Sequence, residues 1–335
     1  MSEKHFSRIN HLYKLFVLLT ITCVTVCFLA MLTNLPNIVN YKLNVTRPFK
    51  NEKFLFKQQN HSYQQLQQTK QFSELKIVVP FHINQLEKVL DNIKKWETFQ
   101  PCNVTSLNNK MVDLIFYIGY SDEHQKLLIN LSSLMSKNIH CFVNKYKVLF
   151  KYVNKKDDKH EKGASLMFEA MLNRSNAHFK NTSFVFYMEP DVRPIKSDWL
   201  SALIMEIGNG NFWVKGSCFR GDLNKIGINN PYIPSFMHIN GNALYNIGSD
   251  DFRHFYFNTL RPYVIKKNGD SKNAYDTDFF EFFFDRDNYE TTRNVIHQFH
   301  FSDFVQNYWN TVFDVNVLNK KFSRTYFVHG GIPNY

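Results

Sequence analysis

Hydrophobic and polar positions between residues 75 and 214 follow two alternating rhythms. Nearly continuous apolar runs occur at Lys76-Ile77-Val78-Val79-Pro80-Phe81, Val112 to Ile118, Val148 to Val153 and Phe184 to Met188. Such runs predict strands covered on both faces, as in a parallel sheet. The segments after them repeat at helical spacing. Gln85 to Trp96 puts Leu86, Val89, Leu90, Ile93 and Trp96 on one face, and His124 to Lys137 does the same with Leu127, Leu128, Leu131, Leu134 and Met135. Gly163 to Leu172 and Asp198 to Ile207 predict two more helices, the second capped by Ser197 or Asp198. Strands alternating with helices predict an α/β domain of three layers around a mostly parallel sheet. After Phe212-Trp213-Val214 the rhythm changes. Gly221 to Asn242 is rich in Gly, Asn and Pro, the composition of a long binding loop, and Asp276 to Phe284 is acidic and Phe-rich.

The N-terminal segment has a different character. Residues 1–14 carry Lys4, Arg8 and Lys14 against the single acid Glu3, and Leu15 to Leu32 contains no charge. An uncharged run of this kind is near the lower end of the roughly 17–25 residues that span a bilayer. It is longer than the apolar core of a cleaved leader, about 7–15 residues, and Leu29-Ala30-Met31-Leu32 is a poor cleavage site. The basic flank keeps the N-terminus cytoplasmic. The expected layout is a tail over 1–14, a membrane anchor over 15–33, a Gln-rich stem over 34–73 that is too polar to fold alone, and a lumenal domain over 74–335.

Composition agrees with that topology. Asn-X-Ser/Thr sequons stand at Asn44, Asn60, Asn103, Asn130, Asn173 and Asn181, candidates for glycosylation in a lumenal chain. Of the five cysteines, Cys23 and Cys27 fall in the apolar run. Cys102, Cys141 and Cys218 remain and allow at most one internal bridge. Cys102 with Cys141 is favoured, because each follows a predicted helix and precedes a predicted strand, although sequence alone does not fix connectivity. The formal net charge of +11 would suit nucleic acid, but the anchor excludes that partner. An anionic donor or acidic glycan is the electrostatic alternative.

The chemistry concentrates where the fourth apolar run ends, in Glu189-Pro190-Asp191. Open α/β sheets bind ligands beyond the carboxyl ends of their strands, and carboxylate oxygens suit hard cations such as Mg²⁺ or Mn²⁺. Downstream, Asn240-Gly241-Asn242-Ala243 follows the long loop, Asp276-Thr277-Asp278 opens the aromatic segment, and His329-Gly330-Gly331 lies near the C-terminus.

In this ordered set the chain resembles glycosyltransferases of the GT-A fold, a Rossmann-like fold in which a metal holds a nucleotide-sugar donor. A tail, one span and a stem are also the usual layout of the Golgi members. The resemblance covers the predicted domain in motif order and implies roles for these residues. Asp191 would ligate the metal, Glu189 would stand where the family has the first Asp of Asp-X-Asp, and His329 would be a second ligand. Asp278, or else Asp276, would be the catalytic base of an inverting reaction, although Asp also suits a helix N-terminus. Donor contacts would come from Pro80, Phe81 and His82, from Tyr120, Ser121 and Asp122, and from Lys162 and Gly163 opening the third helix. Acceptor and sugar contacts would come from Trp213, Lys215, Arg220, His238, Asn240, Gly241 and Asn242. The Glu in place of Asp leaves a second reading open, a catalytically inactive glycan-binding or scaffolding relative. A lumenal nucleotidyl- or phosphotransferase is a third. No Walker loop, Gly-X-Ser-X-Gly elbow or zinc cluster is present in the sequence.

Overall fold

The computed structural model describes residues 74–103, 112–120, 124–135, 139–142, 147–150, 155–174, 177–208, 210–222, 236–269 and 274–334. The expected anchor and stem, together with Asn44, Asn60, Ser121 and Asp122, lie outside the described residues. Among the described residues no helix is long and apolar enough to cross a membrane.

The first half is a run of strand–helix units. Strand β1 (Glu74–Phe81) leads through a 3₁₀ turn to helix α1 (Leu86–Lys95). Then come β2 (Val112–Ile118), α2 (His124–Met135), β3 (Lys147–Phe150), α3 (His160–Leu172) and β4 (Thr182–Tyr187). β1 pairs in parallel with β2 and β4, and β2 with β3, so the spatial order begins β3-β2-β1-β4. The expected elements are therefore present, with three changes at their ends. β3 is described over Lys147–Phe150, starting one residue earlier than expected, and residues 151–153 of the expected strand lie outside the described residues. α3 starts at His160, so Lys162 and Gly163 lie inside its first turn instead of opening it. The fourth expected helix is α4 (Trp199–Ile207); Asp198 takes the cap position in left-handed backbone, but its carboxylate accepts from Ser201 Oγ at 2.8 Å and from Asn103 N at 3.3 Å.

The second half completes two sheets. β5 (Val192–Pro194) precedes α4; β6 (Val214–Gly216) and β7 (Leu244–Tyr245) follow it. Helix α5 (Asp250–Phe255) continues through a π turn at Tyr256–Leu260 into α6 (Arg261–Asn268). Next are α7 (Tyr275–Phe284), α8 (Tyr289–Val295), β8 (Phe299–Phe301), β9 (Val305–Asn307), β10 (Val312–Asp314), α9 (Val315–Lys321), β11 (Phe327–His329) and β12 (Ile332–Asn334). The main sheet has seven strands ordered β3-β2-β1-β4-β7-β6-β8, antiparallel only where β7 meets β4 and β6. A second sheet is ordered β5-β11-β9, and β10 pairs with β12.

Each face of the main sheet is covered. Ile77, Val79, Leu114, Phe116, Phe184 and Phe186 pack with Val89 and Ile93 of α1, Leu131 of α2 and Leu203 of α4. Val78, Ile115, Val185 and Tyr187 face the other way, onto Phe168 of α3, Phe252 of α5 and Phe279 of α7. Two apolar faces explain why these strands read as unbroken apolar runs. One exception is charged: Lys76 and Asp113, register partners on β1 and β2, form a 2.9 Å ion pair with both side chains under 10% exposed. Cys102 and Cys141 form the expected disulfide, joining the segments that follow α1 and α2; Cys218 is free. Of the described sequons, Asn103, Asn173 and Asn181 are exposed and Asn130 is half-buried.

Candidate active site

Strand order β3-β2-β1-β4 reverses direction at β1, so α1 and α2 cover one face and α3 covers the other. Ligands bind at such a switch point, beyond the strand carboxyl ends. Glu189 and Asp191 follow β4 at that point. The chain turns through Pro190, with Val192 N donating to the Glu189 carbonyl at 3.0 Å, and enters β5. The second sheet then decides what meets the two carboxylates. β5 pairs antiparallel with β11, with Val192 opposite His329, and β11 pairs in parallel with β9, with His329 opposite Asn307. Buried Asn92 of α1 donates from Nδ2 to the Val192 carbonyl and ties this corner to the main layer. Residues 138 positions apart in sequence are thereby brought side by side.

His329 Nε2 lies 3.2 Å from Asp191 Oδ1 and 3.5 Å from Glu189 Oε2. One donor atom from each of the three falls within 4.8 Å of the others. Both carboxylates are about one-third exposed and the imidazole is 8% exposed, so the cluster opens to solvent on the carboxylate side. Burial pushes the Glu189 carboxyl up, against the pull of His329. Burial also acts on Asp191, but the hydrogen bond and charge of His329 outweigh it and hold that carboxyl below its ordinary range. Burial would lower His329; its bond to Asp191 and the charges of Asp191 and Glu189 prevail and raise it. A proton on Nε2 offsets part of the charge of the two carboxylates. Two carboxylates and one imidazole are a donor set that suits a divalent cation, and the nitrogen favours Mn²⁺ over Mg²⁺.

The Asn240-Gly241-Asn242 segment supports this cluster. Asn242, 1% exposed, accepts from Glu189 N at 2.7 Å through Oδ1 and donates to Glu189 Oε2 at 2.8 Å through Nδ2. Asn240 Oδ1 in turn accepts from Asn242 N and Nδ2. Asn242 was expected to touch the acceptor; being buried, it orients Glu189 instead. Gly241 donates from N to Asp276 Oδ2 at 2.8 Å, and its carbonyl accepts from Tyr245 OH. A Cβ at Gly241 would come within 2.1 Å of Tyr275 OH, so the close approach of α7 requires glycine here.

The two candidate bases occupy different environments. Asp278 is 2% exposed, among the buried residues of α7, with its charge felt by Tyr256 in the core. Asp276 is half-buried at the N-terminus of α7; its Oδ2 is 3.1 Å from His238 Nε2 and its charge acts on both Glu189 and His329. Burial pushes the Asp276 carboxyl up, but the charge and hydrogen bond of His238 and the bond from Gly241 N hold it below its ordinary value. Asp278 comes first in the sequence reading; the structure buries it at 2% exposure and sets Asp276, its side chain 13% exposed, beside the carboxylate–imidazole cluster.

On the donor side, Pro80 and Phe81 are buried, Phe81 at 2% exposed within the core, so only their backbone is available. His82 is half-buried, caps the 3₁₀ turn through Nδ1, and faces Asp158 Oδ2 at 3.5 Å from Nε2. Asp158, which the sequence showed only as part of a mixed-charge stretch, is cradled by glycine. A Cβ at Gly119 or Gly163 would approach its Oδ1 to 2.5 or 2.9 Å. Lys162 Nζ pairs with Asp157 at 2.8 Å.

Three further expectations change. Trp213 stacks on Phe252 and meets Phe299 edge-on, a core contact set by its place before β6. Lys215 points to the α4 face, where its Nζ reaches Glu206 Oε2 at 2.8 Å, because adjacent strand residues face opposite sides of the sheet. Arg220 pairs with Asp303 at 3.0 Å, and its backbone N donates to the Asn307 carbonyl. Asn307, which no sequence motif marked, orients His329. It is found only through the register of β9 with β11.

No protein-family model matches the sequence, and no curated protein matches it. Solved structures of similar shape do exist. The galactosyltransferase LgtC in complex with donor and acceptor sugar analogs is 15% identical, with a TM-score of 0.44 over 76% of this chain and 86% of that one. An active-site mutant of LgtC gives 12% identity and a TM-score of 0.45 over 77% and 88%. Mouse xyloside xylosyltransferase 1, in its apo form, gives 12% and 0.43 over 77% and 97%. Each of these three solved structures is a glycosyltransferase. At this level of likeness, the chemistry of the chain itself rests on Glu189, Asp191, His329 and the groups around them.

Proposed function

We propose that this protein is a metal-dependent glycosyltransferase that moves one sugar from a nucleoside-diphosphate donor to a glycan, glycoprotein or glycolipid. The observation that carries this reading is the convergence of Glu189, Asp191 and His329 at the switch point of an open α/β sheet. The motif order that resembles GT-A enzymes supports the same reading. A UDP-sugar is the donor most common in the resembling family. The N-terminal run from Leu15 to Leu32 supports a single-pass Golgi enzyme with a lumenal domain.

Glu189, Asp191 and His329 would hold the cation, with Asn242 and Asn307 fixing the outer two. Bound there, a divalent cation would supply Lewis-acid stabilisation for the charge that develops on the leaving diphosphate. The residues of the chain do the rest. The acceptor hydroxyl oxygen attacks the anomeric carbon as the bond from that carbon to the diphosphate oxygen breaks, and the hydroxyl proton passes to Asp276. His238 and Gly241 N hold Asp276 Oδ2 in place and stabilise its carboxylate before attack. The fixed donors around this carboxylate set its position and keep it ionised, and by lowering its pKa they also make it a weaker base.

The test is thermal stability of the full-length chain against a panel of nucleoside diphosphates, with and without Mn²⁺. Binding to the native state raises the melting temperature by mass action. A rise with one nucleotide that needs Mn²⁺, and that disappears in Asp191→Asn, is the expected result. A rise that Asp191→Asn leaves intact, or no rise with any nucleotide, overturns the reading.

A further inference from the structure

Trp309 stands apart from the other three tryptophans. Trp96 and Trp199 are 1% and 0% exposed and Trp213 is packed among phenylalanines, whereas Trp309 is 44% exposed. An exposed tryptophan on a free loop would mean little, but this one is held in place. It lies in a turn closed by Thr311, whose N and Oγ both donate to the Tyr308 carbonyl, at 2.9 and 2.8 Å. Asn310 in the same turn takes a positive φ of 54°, a turn conformation that Asn tolerates.

The turn is anchored to the candidate metal site. Trp309 N donates to Asn307 Oδ1, the atom that faces His329 Nδ1, and Tyr308 N donates to the His329 carbonyl. A Cβ at Gly330 would lie 2.9 Å from Trp309 Cα, so the glycine after His329 lets the two loops touch. On its other side the indole is 5.9 Å from the ring of Phe236. Met237 follows, 56% exposed, and then His238, which bonds Asp276. Trp309 therefore adjoins, through its contact with Phe236, the segment that carries His238, the partner of the proposed base. It lies on the β6 side of β4, since Arg220 N and Phe219 bridge to Asn307. The nucleotide crevice, between β1 and β4, is on the opposite side.

We infer that Trp309 is the stacking platform for a sugar ring of the acceptor, an assignment that rests on the transferase reading. The electron-rich face of an indole attracts the weakly positive C–H groups on one face of a pyranose, and its rigid ring loses little entropy on binding. Such a platform selects for a sugar while leaving the hydroxyls on the ring's edge free to reach Asp276. Trp309 is a specificity-determining residue in this scheme and takes no part in bond making.

The probe is full-length protein labelled with 5-fluorotryptophan, with Trp309 assigned by Trp309→Phe, titrated with methyl glycosides of galactose, glucose, mannose and xylose. The expected result is that one glycoside shifts the Trp309 fluorine resonance and not those of Trp96 or Trp199. Trp309→Ala is expected to weaken binding of that glycoside about tenfold, with Trp309→Phe recovering most of it. Both variants keep the Mn²⁺-dependent nucleotide stabilisation. No glycoside shifting Trp309, or unaltered glycoside binding in Trp309→Ala, overturns the assignment. Loss of nucleotide stabilisation in Trp309→Ala makes the residue a structural support and also overturns it. Failure of the transferase reading shows separately, as nucleotide binding indifferent to Mn²⁺ and to Asp191→Asn.

Discussion

Asn307 Oδ1 lies 3.2 Å from His329 Nδ1 and also accepts the backbone N–H of Trp309 at 3.1 Å. Because Trp309 N can only donate, the shared atom is the amide oxygen. His329 must then carry its proton on Nδ1, which leaves Nε2 to face Asp191 and Glu189. A metal-ligating histidine is set up by such a bond on its far nitrogen. Asn307→Leu should therefore weaken Mn²⁺ binding about 10–100-fold with the ligands themselves intact. Titration calorimetry of the variant checks this, and unchanged affinity would show that the ring needs no fixing.

The raised pKa of His329 predicts proton-coupled metal binding. Its Nε2 binds a proton between the two carboxylates when no cation is present, and a cation must displace that proton. Mn²⁺ affinity should fall as pH drops through the His329 value, which lies above the ordinary 6.5. Binding heats measured near neutral pH in two buffers of different ionisation enthalpy should differ by the uptake of a released proton. Identical heats would contradict the displacement.

Asp276 and Asp278 should separate kinetically. Asp276→Asn removes the proposed proton acceptor and should lower turnover by about 10²-fold or more, with Mn²⁺ and nucleotide binding retained. Asp278→Asn should act mainly on stability, because that carboxyl is 2% exposed. Turnover numbers and melting temperatures of the two variants decide the matter. The reverse pattern would restore Asp278 as the base.

Lys76 and Asp113 form a buried pair across β1 and β2. Lys76→Met takes the ion-pair partner from a buried carboxylate and should cost about 3–5 kcal/mol. The double variant Lys76→Met, Asp113→Leu should recover most of that loss, since both charges are then gone. Denaturant unfolding of the three proteins measures both numbers.

Glu206 lies 5% exposed between Lys215 and Arg324. Burial pushes its carboxyl up, but the two cations outweigh burial and hold it below the ordinary value of 4.5. A depressed folded pKa contributes stability that is present above the unfolded value and lost as pH falls through the folded one. The stability gap between wild type and Glu206→Gln should therefore narrow as pH falls from the ordinary value of 4.5 through the lower folded one. A constant gap would mean the cluster does not couple to protons.

Much of this protein was legible in its sequence. Strands β1, β2 and β4 and helices α1, α2 and α4 follow from local periodicity, because a strand covered on two faces must be apolar throughout and an amphipathic helix must repeat near every 3.6 residues. Glu189 and Asp191 stood out for the same kind of reason, as carboxylates placed where an apolar run ends, while Asp276 and His329 were marked by their place in the ordered set that resembles GT-A enzymes. The tertiary structure alone decided which of these meet and what surrounds them. The full burial of Asp278 against the 13% side-chain exposure of Asp276, the turn of Lys215 and Trp213 away from the site, and the hold of Asn242 on Glu189 depend on which face of an element points inward. Asn307 and Trp309 carry no sequence signal at all. Their roles come from the register of β9 against β11, a pairing set by long-range hydrogen bonds that no local pattern of side chains encodes.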